Sequence, residues 1–315
     1  MKMNEKTMFA YLIHLSANMW GDPDSGKRTR FAPYYPELPT SDEVWKTTVD
    51  FLPSQGFNTL LIDVGDGIQY ESHPEISTPG AWSKDKLKAE LDRLRSIGIT
   101  PLPKLNFSCC HDIWLGEYER MISTKKYYEV VKDLITEVSE LFGGPAYFHL
   151  GMDEETYDHQ RNLKFKVIRG FELWWHDLYY MYDICEKLGA RPWIWGDTIW
   201  RNKDEFLKNM PKSALISNWF YGTFNYRPDG SSDEVRVDSY RVLAENGYDQ
   251  VPTCSTWSNW HNPMETLEYF RDCIPEEHTV GFMTAPWHMT TEYAKYALLN
   301  DAQRFGDAKK LVLGK

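Results

Sequence analysis

The 315-residue chain has no Cys-x-x-Cys pair, no His-x-His, no Gly-x-Gly-x-x-Gly and no P-loop. Redox pairs, zinc knuckles and nucleotide-phosphate loops therefore lack their usual residues. The five cysteines, Cys109, Cys110, Cys185, Cys254 and Cys273, are odd in number and irregular in spacing, which argues against a disulfide framework and for a reducing, cytoplasmic setting. Basic residues are scarce: 35 Lys and Arg face 46 Asp and Glu, a formal charge of −11 with no basic stripe, so nucleic acid is not an expected partner. No run approaches the ~18–20 apolar residues of a membrane span. Residues 1–7 mix acid with base and lead into Met8–Ile13, which reads as a first strand rather than a signal segment. Repeats and low-complexity tracts are missing too, and nothing in the sequence calls for a cofactor or a metal.

What the chain does have is alternation. Short apolar or β-branched runs recur at 9–16, 59–65, 100–107, 146–153, 191–197, 214–221, 250–257 and 279–287. Helical periodicity fills the gaps. Leu87, Leu91 and Leu94 follow a capping Ser83 and stop at Gly98; Val131, Leu134, Val138 and Leu141 end at Gly143. Trp174, Leu178, Met181, Cys185 and Leu188 end at Gly189, and Val242 with Leu243 precede Gly247. Strands alternating with helices imply parallel βα units, and eight of them in this length predict one closed (β/α)8 TIM barrel over residues 1–315. The long irregular stretches at 21–40, 67–82, 108–124 and 222–232 follow strands, where a barrel carries its substrate loops.

The strand ends share one chemistry. In chain order they hold His14, Asn18 and Trp20, then Asp63 and Asp66, then Lys104, Asn106 and His111, then Asp153 and Glu154. Trp195 and Asp197 follow, then Asn218, Trp219 and Tyr221, then Trp257, Asn259, Trp260 and His261, and last Trp287 and His288. A pyranose has an apolar C–H face and a rim of hydroxyls, so it suits aromatic platforms beside carboxylates, amides and imidazoles. Nine of the thirteen tryptophans fall at or past a strand end: Trp20, Trp82, Trp114, Trp195, Trp200, Trp219, Trp257, Trp260 and Trp287. Trp45, Trp174, Trp175 and Trp193 read as packing residues. The expected partner is a carbohydrate.

The stretch Tyr147-Phe-His-Leu-Gly-Met-Asp-Glu-Glu155 ends an apolar strand in three carboxylates. Adjacent acids at a strand tip can divide glycosidic cleavage, one holding a proton and one holding developing charge; the plain alternative is that they start the next helix. Period two puts His149 and Asp153 on the inward face if Phe148, Leu150 and Met152 pack outward. Glu154 then bends over the mouth, Gly151 leaves room beneath, and His149 can bond an inward carboxylate. Desolvation among tryptophans would raise the pKa of Glu154.

His149-Leu-Gly-Met-Asp-Glu154 resembles the His-x-Gly-Gly-Asp-Glu motif of glycoside hydrolase family 20, the β-N-acetylhexosaminidases, and Trp193-Ile-Trp-Gly-Asp197 is similar to that family's fifth strand. The resemblance implies Glu154 as general acid/base and Asp153 as the residue polarising the substrate's own 2-acetamido nucleophile, with retention of configuration. His149, Asp63, Asn106, His111, Trp195, Asp197, Trp219, Tyr221, Trp257, Trp287 and His288 are the expected substrate-binding residues. Met152 departs from the family's second glycine, strand one lacks its sugar-gripping arginine, and these residues include no small α+β domain before the barrel. Arg28 or Arg30 could substitute for that clamp, and Glu155 reads as a helix-start acid. Two other readings stay open. Asp63, Glu154, Asp197 and His288 could converge on a divalent metal, as in sugar isomerases and epimerases, or the barrel could bind sugar without turnover.

Overall fold

The computed structural model of the chain describes residues 7–23, 34–161, 163–224 and 230–314; Arg28 and Arg30 lie outside them. Eight strands run β1 (Met8–His14), β2 (Thr59–Asp63), β3 (Thr100–Lys104), β4 (Tyr147–His149), β5 (Arg191–Trp195), β6 (Leu215–Ser217), β7 (Thr253–Cys254) and β8 (Gly281–Thr284). All pair in parallel, in the order β6-β5-β4-β3-β2-β1-β8-β7. Single bridges, Ile216 to Gln250 and Trp219 to Thr253, close the seam between β6 and β7. The principal helices between them are α1 (Asp42–Phe51), α2 (Lys84–Ser96), α3 (Lys125–Leu141), α4 (Tyr157–Gln160), α5 (Phe171–Lys187), α6 (Thr198–Arg201), α7 (Lys203–Asn209), α8 (Ser232–Glu245), α9 (Asn262–Cys273) and α10 (Lys295–Leu313). This is the expected (β/α)8 barrel.

Side-chain alternation builds its two cores. Phe9, Tyr11 and Ile13 of β1 join the core between barrel and helices, while Met8, Ala10 and Leu12 join the core inside the barrel with Trp193, Trp195 and Leu215. A strand whose two faces are both covered has no polar side, and β1 is buried at every position. Full burial of such side chains stabilises by about 1.5–3 kcal/mol each. The expected helix signals hold: Ser83 Oγ accepts the Lys86 amide at 3.2 Å, and Gly98, Gly143, Gly189 and Gly247 take positive φ past their helices.

Register sets the floor of the barrel mouth. His14 pairs with Asp63, Asp63 with Lys104, and Lys104 with His149, so the last residues of β1 to β4 lie in one layer. No helix among the described residues is long and apolar enough to cross a membrane. All five cysteines are free thiols, and only Cys273 is exposed.

Candidate active site

The chain leaves the β4 ladder at His149, four residues earlier than the apolar run suggests, because residues beyond it turn left-handed. Gly151 (φ 74°), Met152 (φ 69°) and Glu154 (φ 57°) all have positive φ. A non-glycine residue there costs on the order of 1–3 kcal/mol and persists only when its surroundings impose it. Here they do. Ser108 Oγ donates to the Asp153 carbonyl, Cys110 Sγ to the Glu154 carbonyl at 2.7 Å, and the Glu154 amide to Asp197 Oδ2 at 3.0 Å. Gly151 does not leave space: a Cβ there would sit 1.9 Å from Asn106 Oδ1, so the missing side chain admits Asn106.

Glu155 is not a helix-start acid. Its carboxylate pairs with the buried Arg169, whose guanidinium also reaches the Phe107 carbonyl at 2.9 Å and Asp177 at 3.1 Å. The same carboxylate accepts the Cys109 amide at 3.2 Å. Arg169 thereby ties the turn after β4 to the loop after β3 and to α5. Thr156 caps the next helix instead.

Asp153 Oδ1 accepts from Asn106 Nδ2 at 3.0 Å, and Asp153 Oδ2 lies 3.2 Å from His111 Nε2. The same nitrogen lies 3.3 Å from Glu154 Oε2, and His159 Nε2 lies 3.3 Å from Glu154 Oε1. Burial would discharge His111, but Asp153 and Glu154 outweigh it and push its pKa up to about 10. Glu154 goes the other way from expectation. Burial would raise its pKa, but bonds to His111 and His159 hold it below the ordinary carboxylate range. His149 does not steady Asp153: its Nδ1 accepts the Gly151 amide at 3.0 Å, and its ring lies between Trp193 and Trp195. Behind the pair, burial and then the charge of Asp153 push Asp197 up to about 7.

A cavity of about 390 Å³ opens over these groups. Eight expected residues line it: Asn106, His111, Asp153, Glu154, Trp219, Tyr221, Trp257 and Trp287. The Tyr221 hydroxyl and Trp287 Nε1 are both buried there, with the Trp287 indole turned toward the hydroxyl. Five others stand back. Asp63 is bonded to Lys104 in the barrel floor, His149 is enclosed below, and Trp195 backs Trp287 at 5.7 Å between ring centroids. Asp197 holds the Glu154 amide, and His288 sits 5.4 Å from the Trp257 ring. Of the other rim tryptophans, Trp20 lines the cavity, Trp200 packs behind Trp219, and Trp82 and Trp114 belong to the outer core. The wall also includes residues not expected from the sequence: Cys110, and Asp158, His159, Arg161 and Leu163, brought there by the loop after β4. The adjacent β4 tip and the His159-x-Arg161 polarity are the only local signals for it.

The metal set Asp63, Glu154, Asp197 and His288 does not form, since Lys104 occupies Asp63 and Asp197 faces the Glu154 backbone. Among the described residues, the group able to hold a cation is His111, Asp153 and Glu154, with donor atoms within 4.8 Å of one another.

No family model matches the chain, and no curated protein matches it in sequence. Solved structures do. A β-N-acetylhexosaminidase from Bacteroides fragilis aligns with a TM-score of 0.64 at 14% identity, covering 95% of this chain and 65% of that one. The tandem family 20 catalytic modules of the pneumococcal exo-β-D-N-acetylglucosaminidase give 0.64 at 16%, covering 97% and 83%. The Vibrio harveyi exo-β-N-acetylglucosaminidase in complex with N-acetylglucosamine gives 0.62 at 13%, covering 98% and 58%. The chain thus spans less than two thirds of the length of the first and third. Its fold is similar to that of the family 20 catalytic barrel.

Proposed function

We propose that this chain is a retaining glycoside hydrolase acting on a β-linked terminal 2-acetamido hexoside, as a single barrel domain in a reducing compartment such as the cytoplasm. The observation that carries the reading is the Asp153–Glu154 pair sharing His111 Nε2 at the base of a tryptophan-lined cavity. Their oxygens lie within 4.8 Å of each other, so both can act on one sugar ring, the nucleophile being the substrate's own acetamide rather than a second carboxylate. The Glu154 side chain is 24% exposed and that of Asp153 8%. Glu154 is accordingly assigned the leaving-group oxygen at the mouth, and Asp153, gripped from two sides, the 2-acetamido group within.

In this mechanism Asp153 orients the acetamide so that its carbonyl oxygen bonds to the anomeric carbon as the glycosidic oxygen departs with the Glu154 proton. Glu154 then takes a proton from the water that opens the intermediate. Glu154 must first be protonated. A sugar that separates it from His111 and His159 removes the interactions that lower its pKa and leaves burial, which raises it. Trp20, Trp219, Trp257 and Trp287 supply stacking faces, and the Tyr221 hydroxyl, which accepts from the Trp287 indole, can donate to a substrate oxygen.

The test is turnover of nitrophenyl β-glycosides with and without a 2-acetamido group, with and without EDTA. Glu154→Gln is expected to lower kcat/KM by about 10²–10⁴-fold, and Asp153→Asn to hurt the acetamido substrate more than its 2-hydroxy counterpart. An Asp153→Asn loss equal on both substrates ends the substrate-assisted part; no hydrolysis of any β-glycoside ends the whole reading. A second reading rests on the His111–Asp153–Glu154 donor set. Interconversion of a free aldose and ketose that EDTA abolishes and Mn²⁺ restores, with no nitrophenol released, would favour metal-dependent sugar isomerisation.

A further inference from the structure

Trp260 and His261 have the residue types of a sugar rim, yet they stand outside the catalytic cavity and open a second one of about 370 Å³. Its walls come from two neighbouring helices and the loop before them: Trp260, His261 and Met264 on one side, and Arg304, Asp307, Lys310 and Leu311 of α10 on the other. Spacings of three and four along α10 bring the last group onto one helix face. Trp260 is 60% exposed and Leu311 72% exposed, an unusual apolar display on one patch. The Arg304 guanidinium lies 5.3 Å from the Trp260 ring centroid.

The charge of this cavity runs against that of the chain. Arg304 and Lys310 line it without a carboxylate partner among the described residues, while Asp307 is the one lining acid and accepts from Gln303 at 2.9 Å. Two cations against one carboxylate make a local positive site on a chain of net charge −11. An exposed indole takes the C–H face of a pyranose, and a guanidinium resting on it is fixed for an anion at the ring edge. A neutral sugar would leave both cations unanswered. A long polyanion would meet the repulsion of the remaining surface, whereas one or two charges would not.

We propose that this cavity is a surface binding site for an anionic sugar unit, one bearing a carboxylate or a sulfate ester, with Trp260 as platform and Arg304 and Lys310 as anion donors. The proposal does not depend on the assignment of the catalytic cavity.

The test is isothermal titration calorimetry of the full chain with digalacturonate, a singly sulfated galactobiose and neutral cellobiose. At least one anionic ligand is expected to bind about tenfold or more tighter than the neutral one, with the two arms deciding between carboxylate and sulfate. Trp260→Ala and Arg304→Gln are each expected to weaken that binding by about tenfold, Lys310→Gln by less, and salt to weaken it further. All three positions lie away from the catalytic cavity, so turnover of small aryl glycosides should not change. No binding, equal binding of the neutral sugar, or affinity untouched in Trp260→Ala and Arg304→Gln would overturn the proposal. Binding lost instead in Trp257→Ala would assign it to the catalytic cavity. Self-association in sedimentation that Trp260→Ala abolishes would make the patch an interface between copies of the chain.

Discussion

Two buried clusters in this barrel use the same residue types to opposite ends. In the floor, His14 Nδ1 lies 3.4 Å from Asp63, and Lys104 bonds the same carboxylate. At the mouth, His111 lies between Asp153 and Glu154, whose ion-pair partners among the described residues include no lysine or arginine. Lys104 already supplies the cation in the floor, so burial discharges His14, while Asp63 overcomes its own burial through Lys104 and stays ionised. At the mouth the imidazole must itself be the cation, and its pKa climbs to about 10. A cluster with a permanent cation is a fixed strut. One answered by imidazoles can exchange a proton when a ligand separates the partners.

The largest effect expected from this contrast is in the floor. Lys104→Met leaves Asp63 charged and buried with only His14 beside it, which should lower unfolding stability by about 3–5 kcal/mol in urea titration. Adding Asp63→Leu removes the stranded charge, and the double variant should recover most of that loss. A double variant as unstable as the single one would show that Lys104 acts through packing.

His111→Asn comes next and should behave differently. It keeps a donor near the carboxylates but removes the cation, so turnover of the nitrophenyl acetamido substrate should fall by about 10²–10³-fold, and stability at neutral pH should fall too because Asp153 and Glu154 lose the charge that answers them. The low pKa of Glu154 should also rise, moving the alkaline limb of the kcat/KM profile, where the general acid loses its proton, up toward neutral pH. An unchanged limb with unchanged kcat would detach His111 from the pair.

Much of this was legible in the sequence because period two and period 3.6 are local. The eight strands, the four glycine-stopped helices and the acids at the β4 tip all came from residues read in order. Strand lengths did not: each expected run extends past the ladder, because the residues beyond it, Leu150 and Met152 in the outer core and Trp219 and Trp257 at the mouth, are as apolar as strand residues. Charge states were also illegible. Asp63 and Asp197 look alike at strand ends, but register hands Lys104 to the first and burial beside Asp153 to the second. Glu155 meets Arg169 fourteen positions away, and His159 reaches Glu154 only because a left-handed turn redirects the chain. No periodicity encodes either contact.

The smallest expected effect concerns Asp197, which stands between the two cases: buried like Asp63, but with Arg201, 41% exposed and 3.4 Å away, as its salt-bridge cation. Its carboxyl is pushed up to about 7 by burial and then by Asp153, whereas in the unfolded chain it titrates near about 4. The folded state therefore holds this proton more tightly than the unfolded state, and stability falls as pH rises through the window between those values. Asp197→Asn keeps an acceptor for the Glu154 amide and removes the ionisation. The variant should match the parent near pH 4 and exceed its Tm by about 2 °C at pH 8. A deficit that is the same at both pH values would mean that Asp197 is ionised throughout, held by Arg201 and the Glu154 amide, and belongs with the floor cluster as a strut.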